Sequence, residues 1–278
     1  MNFAKLPPKP VVVVFAGHDP TGGAGIQADS EAIASLGCHA ATVVTALTVQ
    51  DTRNVVSFES IRPALLAAQA KTLLDDITPT AFKIGMIGST ENARTIAAIL
   101  KKHRGVPVVL DPVLTAGGGS VLADTALRRA LLDELFPLAT LVTPNGLEAR
   151  ALAPMADTLA ACAQELLAAG CRHVLITGGH EAGPEVVSRL YGGHTALARH
   201  AWPRLPGEFH GSGCTLASAI AALLAQGADI ASAVDEALAY TWHALGNAQT
   251  PGHGQAIPDR FFWVRSFDAK EGRWQRSN

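Results

Sequence analysis

The sequence predicts a three-layer α/β/α sandwich built on a mostly parallel central sheet. Three observations carry that expectation. Short apolar runs alternate with helix-length segments from residue 11 to about residue 245, the pattern of repeated βαβ units with right-handed crossovers. The first run, Val11-Val12-Val13-Val14-Phe15-Ala16, shows no polar alternation, as expected of a strand covered on both faces. Residues able to do chemistry follow the strands, which is where ligands bind in open parallel sheets.

In chain order, residues 1–10 are a proline-rich lead-in, and the first strand covers Val11–Ala16. A glycine-dense loop, Gly17–Gly25, leads to a helix over Ala24–Leu36 that Gly37 stops. A second strand covers His39–Thr45, and Pro63 opens a helix to about Asp75, proline being favoured at the first helical position. Phe82–Ile84 is a short strand and Glu91–His103 a helix. Pro107–Asp111 is a strand ended by Pro112, Ala123–Leu135 a helix, and Ala139–Val142 a strand closed by Thr143-Pro144. Thr158–Ala169 is a helix capped by Gly170, before the strand His173–Thr177. Glu185–Leu190 and Thr195–His200 flank Tyr191-Gly192-Gly193-His194 as a hairpin. Two helices follow, one after Gly211 and one over Ile230–Leu245. No linker or repeat interrupts this order, so 1–278 is expected to be one domain, with 1–10 and about 265–278 as peripheral tails.

The chain has 278 residues, 48% hydrophobic and 17% charged, far from the disordered range. A net charge of −2 and 5% aromatics give no reason to expect nucleic acid or an anionic membrane as partner. Cys38, Cys162, Cys171 and Cys214 show neither CxxC nor Cys/His metal spacing, which suits free thiols in a reducing compartment. No apolar run reaches the roughly 18 residues of a membrane span, and the first ten residues lack the apolar core of a signal peptide. The protein is expected to be cytoplasmic.

Chemistry concentrates at Phe209-His210-Gly211-Ser212-Gly213-Cys214-Thr215-Leu216. A glycine-paired turn running into a helix leaves first-turn amides free at the positive end of the macrodipole, a site for phosphate. Cys214 lies in that turn, where the same field favours thiolate. A plain turn before a buried helix with an inert thiol is the competing reading. The Gly17–Gly25 loop has no GxGxxG fingerprint, which argues against a dinucleotide site. Asp29 either faces the pocket or is a solvated helix carboxylate. Gln50 offers donors and an acceptor suited to an aminopyrimidine-like edge, or is a surface glutamine. Met86 either walls an apolar slot or fills core. Asp111, Asn145 and Glu148 are hard oxygen ligands suited to Mg²⁺, although an Asn with a Glu three residues on is also a common helix start. GxxxxGK[ST] and the protein-kinase motifs are absent.

Taken in order, several segments resemble the hydroxymethylpyrimidine/phosphomethylpyrimidine kinases of thiamine biosynthesis, within the ribokinase-like superfamily. They are Ala16–Asp29, Thr45-Ala46-Leu47 with Gln50–Arg53, Lys83-Ile84-Gly85-Met86, Leu110–Val113, Thr143-Pro144-Asn145 with Glu148, Thr177-Gly178-Gly179-His180 and His210–Leu216. The likeness covers roughly residues 11–255. It implies a ribokinase-like fold and ATP-dependent phosphorylation of 4-amino-5-hydroxymethyl-2-methylpyrimidine, then of its monophosphate, commonly by a homodimer. It also implies that Gln50 binds the aminopyrimidine and that Gly17, Asp29, Thr48 and Met86 line its slot. By the same likeness Gly211, Ser212, Gly213 and Cys214 form the anion hole, with Cys214 as base. Asp111, Asn145 and Glu148 then manage Mg²⁺, with Asp111, Asn145, Thr177 and Gly179 on the nucleotide side. Three positions depart from the family pattern: Thr177 and Tyr240 stand where lysines are usual, and Ala116-Gly117-Gly118-Gly119-Ser120 replaces a lysine-bearing flap. Related alternatives are a pyridoxal kinase of the same superfamily and a non-catalytic ligand-binding relative.

Overall fold

Val11–His18 is extended because β-branched side chains pack well on a pleated surface, and its neighbours cover both of its faces. In the computed structural model the described residues are 8–193, 195–268 and 273–276. Among them, nine strands form one sheet: β1 (Val11–His18), β2 (His39–Gln50), β3 (Val55–Ser60), β4 (Ala81–Ile84), β5 (Val108–Leu110), β6 (Leu141–Val142), β7 (His173–Ile176), β8 (Glu185–Gly192) and β9 (Thr195–Pro203). Their order is β3-β2-β1-β4-β5-β6-β7-β8-β9. The six from β2 to β7 in that order run parallel, and β3, β8 and β9 are antiparallel to their neighbours.

Among the described residues eight α-helices cover the faces: α1 (Gly25–Ser35), α2 (Pro63–Asp76), α3 (Thr90–Leu100), α4 (Thr125–Ala130), α5 (Gly146–Leu152), α6 (Leu159–Ala168), α7 (Ser212–Ala225) and α8 (Ile230–Gly246). Side chains of β1 alternate between two cores, as the strand period of two requires. Val12, Val14 and Ala16 pack with α1, α7 and α8. Val13 and Phe15 pack with the other five helices. The result is the expected three-layer α/β/α sandwich. Chain order reverses between β1 and β4, and the crevice beyond their carboxyl ends is the switch point where such sheets bind ligands.

Some expectations need correcting. β2 does not stop at Thr45 but runs on to Gln50 and turns back as β3, a strand absent from the sequence reading. The half-exposed alternation of this pair resembles a loop more than the buried runs elsewhere. The helix expected over Ala123–Leu135 is α only to Ala130, then widens to a π turn at Leu131–Leu135 and tightens at Phe136–Leu138. The tail contains an antiparallel pair, β10 (Arg265–Asp268) and β11 (Arg273–Arg276). Residues 1–7, 269–272 and 277–278 of the expected tails, and His194 of the hairpin turn, lie outside the described residues. Among the described residues no helix is long and apolar enough to cross a membrane.

Candidate active site

Helix N-termini decide where the crevice can hold an anion. Ser89, Asp124, Asn145, Thr158 and Asp229 cap their helices with side-chain oxygens. By contrast α1 and α7, whose starts reach the crevice, have no side-chain cap. The cap position of α7 is Gly211 in the left-handed region, φ +78, which glycine adopts without strain. A Cβ on Gly211 would also lie 1.9 Å from the Gly23 carbonyl oxygen, so the two loops touch backbone to backbone. The amides of Ser212 and Gly213 are therefore open to a ligand.

Beside them lies a cavity of about 280 Å³. Gly17, Thr48, Gln50, Met86, Asp111, Asn145, Glu148, Thr177, Gly179, Gly211, Ser212, Gly213 and Cys214 all line it. Thus residues from both loops and from six strand ends converge. Gly17 is packed so closely that a Cβ there would sit 3.1 Å from Met86 Sδ. Gln50 Nε2 donates to Thr48 Oγ1, which donates to the His18 carbonyl at 2.8 Å, so the carboxamide is oriented from the end of β1. A contiguous cavity of about 570 Å³ shares Thr177, Gly179, Ser212 and Gly213 and is lined further out by Trp202 and Trp242. These indoles are 5.4 Å apart between ring centroids.

Asp29 is the exception. It is fully buried and absent from the cavity wall. Its Oδ1 accepts from Lys83 Nζ and Ser218 Oγ, both at 2.7 Å. Asp29 is thus neither a slot wall nor a solvated carboxylate but half of an ion pair beneath the site. Burial works against the charge of Lys83, yet Asp29, with Cys214 and Asp111 nearby, holds its pKa above the usual lysine value. Lys83→Met is expected to cost about 3–5 kcal/mol in urea unfolding, because Asp29 would be left as an uncompensated buried charge. A loss below about 1 kcal/mol would show that the pair is not structural.

Burial also decides the titration of the acids. It pushes Asp111 up to about 6, with Lys83 opposing and Asp29 adding to the rise. It pushes Glu148 up to about 8, helped by Asp111 and opposed by the Asn145 and Leu114 amides. Asn145 and Glu148 form a capping box: Asn145 Oδ1 accepts from the amides of Leu147 and Glu148 at 2.9 Å, and Glu148 Oε2 accepts from the Asn145 amide at 3.0 Å. The helix-start reading therefore holds, and it coexists with placement on the cavity wall. Two adjacent buried carboxylates of raised pKa suit a hard cation. Among the described residues no cluster of three or more His, Cys, Asp or Glu gathers.

Cys214 departs from the expected thiolate. Burial pushes its thiol up to about 11, with Lys83 opposing and Asp29 and Asp111 adding to the rise, while a hydrogen bond from the Gly25 amide lowers it. Tyr240 does not face phosphate: its ring lies in the α1/α7/α8 core and its hydroxyl donates to the Arg260 carbonyl at 2.8 Å. Leu238, Thr241, Trp242 and Leu245 are the α8 residues that line the second cavity, and Tyr240 lies off that face. The glycine flap is a tight turn, closed by the Ala116 amide on the Ser120 carbonyl and tied to β3 by Ser120 Oγ on the Val55 carbonyl at 2.8 Å.

Sequence reasoning did not give roles to Asp19, His210, Lys83 or Arg260. Asp19 is buried, and its Oδ2 lies 2.8 Å from His210 Nε2. Burial acts to raise its pKa, but His210 and the Thr21 and Ala24 amides hold it below the usual carboxylate value. A lysine inside the apolar run Ala81–Ile84 was a readable sign of a buried charge. Arg260, in an aperiodic segment, gave none.

Comparison with known proteins identifies the family. A family profile described as phosphomethylpyrimidine kinase matches residues 19–259. The hydroxymethylpyrimidine/phosphomethylpyrimidine kinase of Rhizobium meliloti is 38% identical over 250 residues, covering 88% of this chain and 94% of that one. A thiamine biosynthesis bifunctional protein of Geobacter sulfurreducens is 42% identical over 252 residues, 89% of this chain, and the chain spans about half of its length, 51%. Among solved structures, a phosphomethylpyrimidine kinase from Clostridium difficile superposes with a TM-score of 0.73 at 33% identity, covering 85% of this chain and 99% of that one. Pyridoxal kinase from Staphylococcus aureus in complex with pyridoxal gives 0.83 at 27% identity, covering 92% and 95%. On the extent of these matches, the chain belongs to the phosphomethylpyrimidine kinase family.

Proposed function

We propose that the protein is an ATP-dependent kinase that phosphorylates 4-amino-5-hydroxymethyl-2-methylpyrimidine and then its monophosphate, in thiamine biosynthesis. One observation carries this reading: a single cavity joins the oriented Gln50 carboxamide to Cys214 and the uncapped Gly211–Gly213 turn. Gln50 pairs with the aminopyrimidine edge, and Gly17, Thr48 and Met86 form the slot. The hydroxymethyl oxygen attacks the γ-phosphorus as its bond to the β–γ bridging oxygen breaks and ADP leaves. The hydroxyl proton passes to Cys214 in its thiolate form, and the Ser212 and Gly213 amides meet the charge on the transferring group. In the second round a phosphate oxygen of the monophosphate is the nucleophile. The second cavity, walled by the packed Trp202–Trp242 pair, seats the nucleotide base, with Thr177 and Gly179 towards the phosphates. Asp111, Asn145 and Glu148 would hold Mg²⁺ and its waters. When bound, that ion neutralises phosphate charge. The reading includes a cytoplasmic homodimer, and β2 and β3 expose Leu47, Val49 and Val56 as apolar surface for such contact.

The direct test is release of ADP and formation of phosphorylated pyrimidine by pure protein; neither appearing would end the proposal. Gln50→Leu is expected to raise KM for the pyrimidine about tenfold or more while KM for ATP holds, because the ring's polar edge loses its partner. An unchanged pyrimidine KM would remove Gln50 from the substrate site. Pyridoxal is a second candidate acceptor, favoured by the higher TM-score of the pyridoxal kinase. A kcat/KM for pyridoxal above that for the pyrimidine would establish it as the principal substrate.

A further inference from the structure

The C-terminal segment places an unexpected group behind the loops of the site. Arg260 lies outside helix and strand, yet its side chain is among the largest that are fully buried. Its guanidinium spans two loops. Nε donates to Thr215 Oγ1 at 3.0 Å, in the first turn of α7. Nη1 donates to the Gly22 carbonyl at 3.4 Å and to Glu31 at 2.9 Å, and Nη2 donates to the Gly23 carbonyl. Thr215 Oγ1 donates onward to the Gly211 carbonyl at 2.8 Å. The Tyr240 hydroxyl fixes the arginine's own backbone from α8. Burying a guanidinium against one half-exposed carboxylate is costly, and an apolar side chain would fill the space with less desolvation. What arginine supplies there is a planar fork reaching two loops at once.

Those loops bound the reaction. The Gly22–Gly23 turn precedes Gly25, whose amide meets the Cys214 sulfur, and Gly211 opens the anion turn. None of the arginine's side-chain hydrogen bonds involves Gly17, Gln50 or Met86. We propose that Arg260 is a positioning residue for phosphoryl transfer: it locks the Gly22–Gly23 turn to the first turn of α7 and so sets the Gly211–Gly213 amides and Cys214 relative to the acceptor hydroxyl. The inference rests on the kinase reading above.

Arg260→Lys keeps the charge and loses the fork, Thr215→Val removes the relay, and Thr215→Ser keeps it. In folded Arg260→Lys and Thr215→Val proteins, kcat falls about tenfold to a hundredfold, while the calorimetric Kd for the pyrimidine stays within about twofold and Thr215→Ser stays near wild type. Unchanged kcat in both variants overturns the proposal. So does a parallel loss of kcat and pyrimidine affinity, which is the signature of general loosening. Hydrogen exchange separates this inference from the kinase reading. If the wild type phosphorylates nothing, faster amide exchange in Arg260→Lys confined to residues 22–25 and 211–215 still upholds the clamp. Unchanged exchange there refutes it.

Discussion

Cys214→Ala is expected to lower kcat by about a hundredfold or more while leaving the Kd of the pyrimidine within about twofold, the signature of a lost general base. The cysteine lines the cavity at the first turn of α7 and takes no part in the Gln50–Thr48–His18 chain that orients the Gln50 carboxamide. Its thiol is pushed up to about 11 by burial, so at neutral pH the free protein carries it protonated. The thiolate fraction then grows about tenfold for each pH unit below that value. Wild-type kcat/KM is therefore expected to climb between about pH 7 and 9, and the variant is expected to lose the Cys214-dependent part of that climb. A coupled ADP assay across this range measures both. Equal turnover by the variant, or superimposable profiles, would remove Cys214 as base. Lys83 and the Gly25 amide already pull against burial, and they are the groups in the fold that favour the thiolate.

Glu148→Gln is expected to act in opposite directions on activity and on stability. In saturating Mg²⁺ and ATP, kcat should fall about a hundredfold, because a charge proposed to hold the ion is gone. Without Mg²⁺ the same variant should melt higher than wild type at pH 8. Glu148 sits at about 8 in the fold against an ordinary 4.5, and Asp111 at about 6 against 3.8. Both hold protons more tightly when folded. That stabilisation is complete below the ordinary values and is lost as pH rises through 6 for Asp111 and 8 for Glu148. Glutamine has no such proton to lose, and it can still accept from the Asn145 amide in the capping box. Each kcal/mol relieved should appear as about 2–4 °C in Tm at this size. Added Mg²⁺ should raise the wild-type Tm at pH 8 more than the variant's. A variant that melts lower than wild type at pH 8 without Mg²⁺ would show that Glu148 is stabilising as an anion and is no part of a cation site.

The site was more legible than its supports. Gly211, Gln50, Met86, Asp111 and Asn145 stand at strand or helix ends, and turn chemistry and the strand-end rule both mark such positions locally. Asp29 misled because a helix carboxylate is usually solvated, and only the arrival of Lys83 from β4 and Ser218 from α7 shows it buried. Cys214 misled in a related way. A helix start favours thiolate, but desolvation by burial raises the pKa of this thiol. Tyr240 occupies the position where the family resemblance implied a lysine, yet its side chain falls off the face of α8 that lines the second cavity.

By itself the sequence determined the alternation of strands and helices, the buried character of Val11–Phe15 and the uncapped glycine turn at Gly211. Each of these follows from side-chain periodicity or from backbone freedom within a few residues. Tertiary structure alone decided what those pieces meet. Residues 29, 83 and 218 became one buried polar cluster, and 19 met 210. Arg260 came back across 237 residues to the Gly23 carbonyl. The reason is physical: a charge in the core is tolerable only where distant chain supplies its partners, and no local pattern encodes which distant residue will arrive.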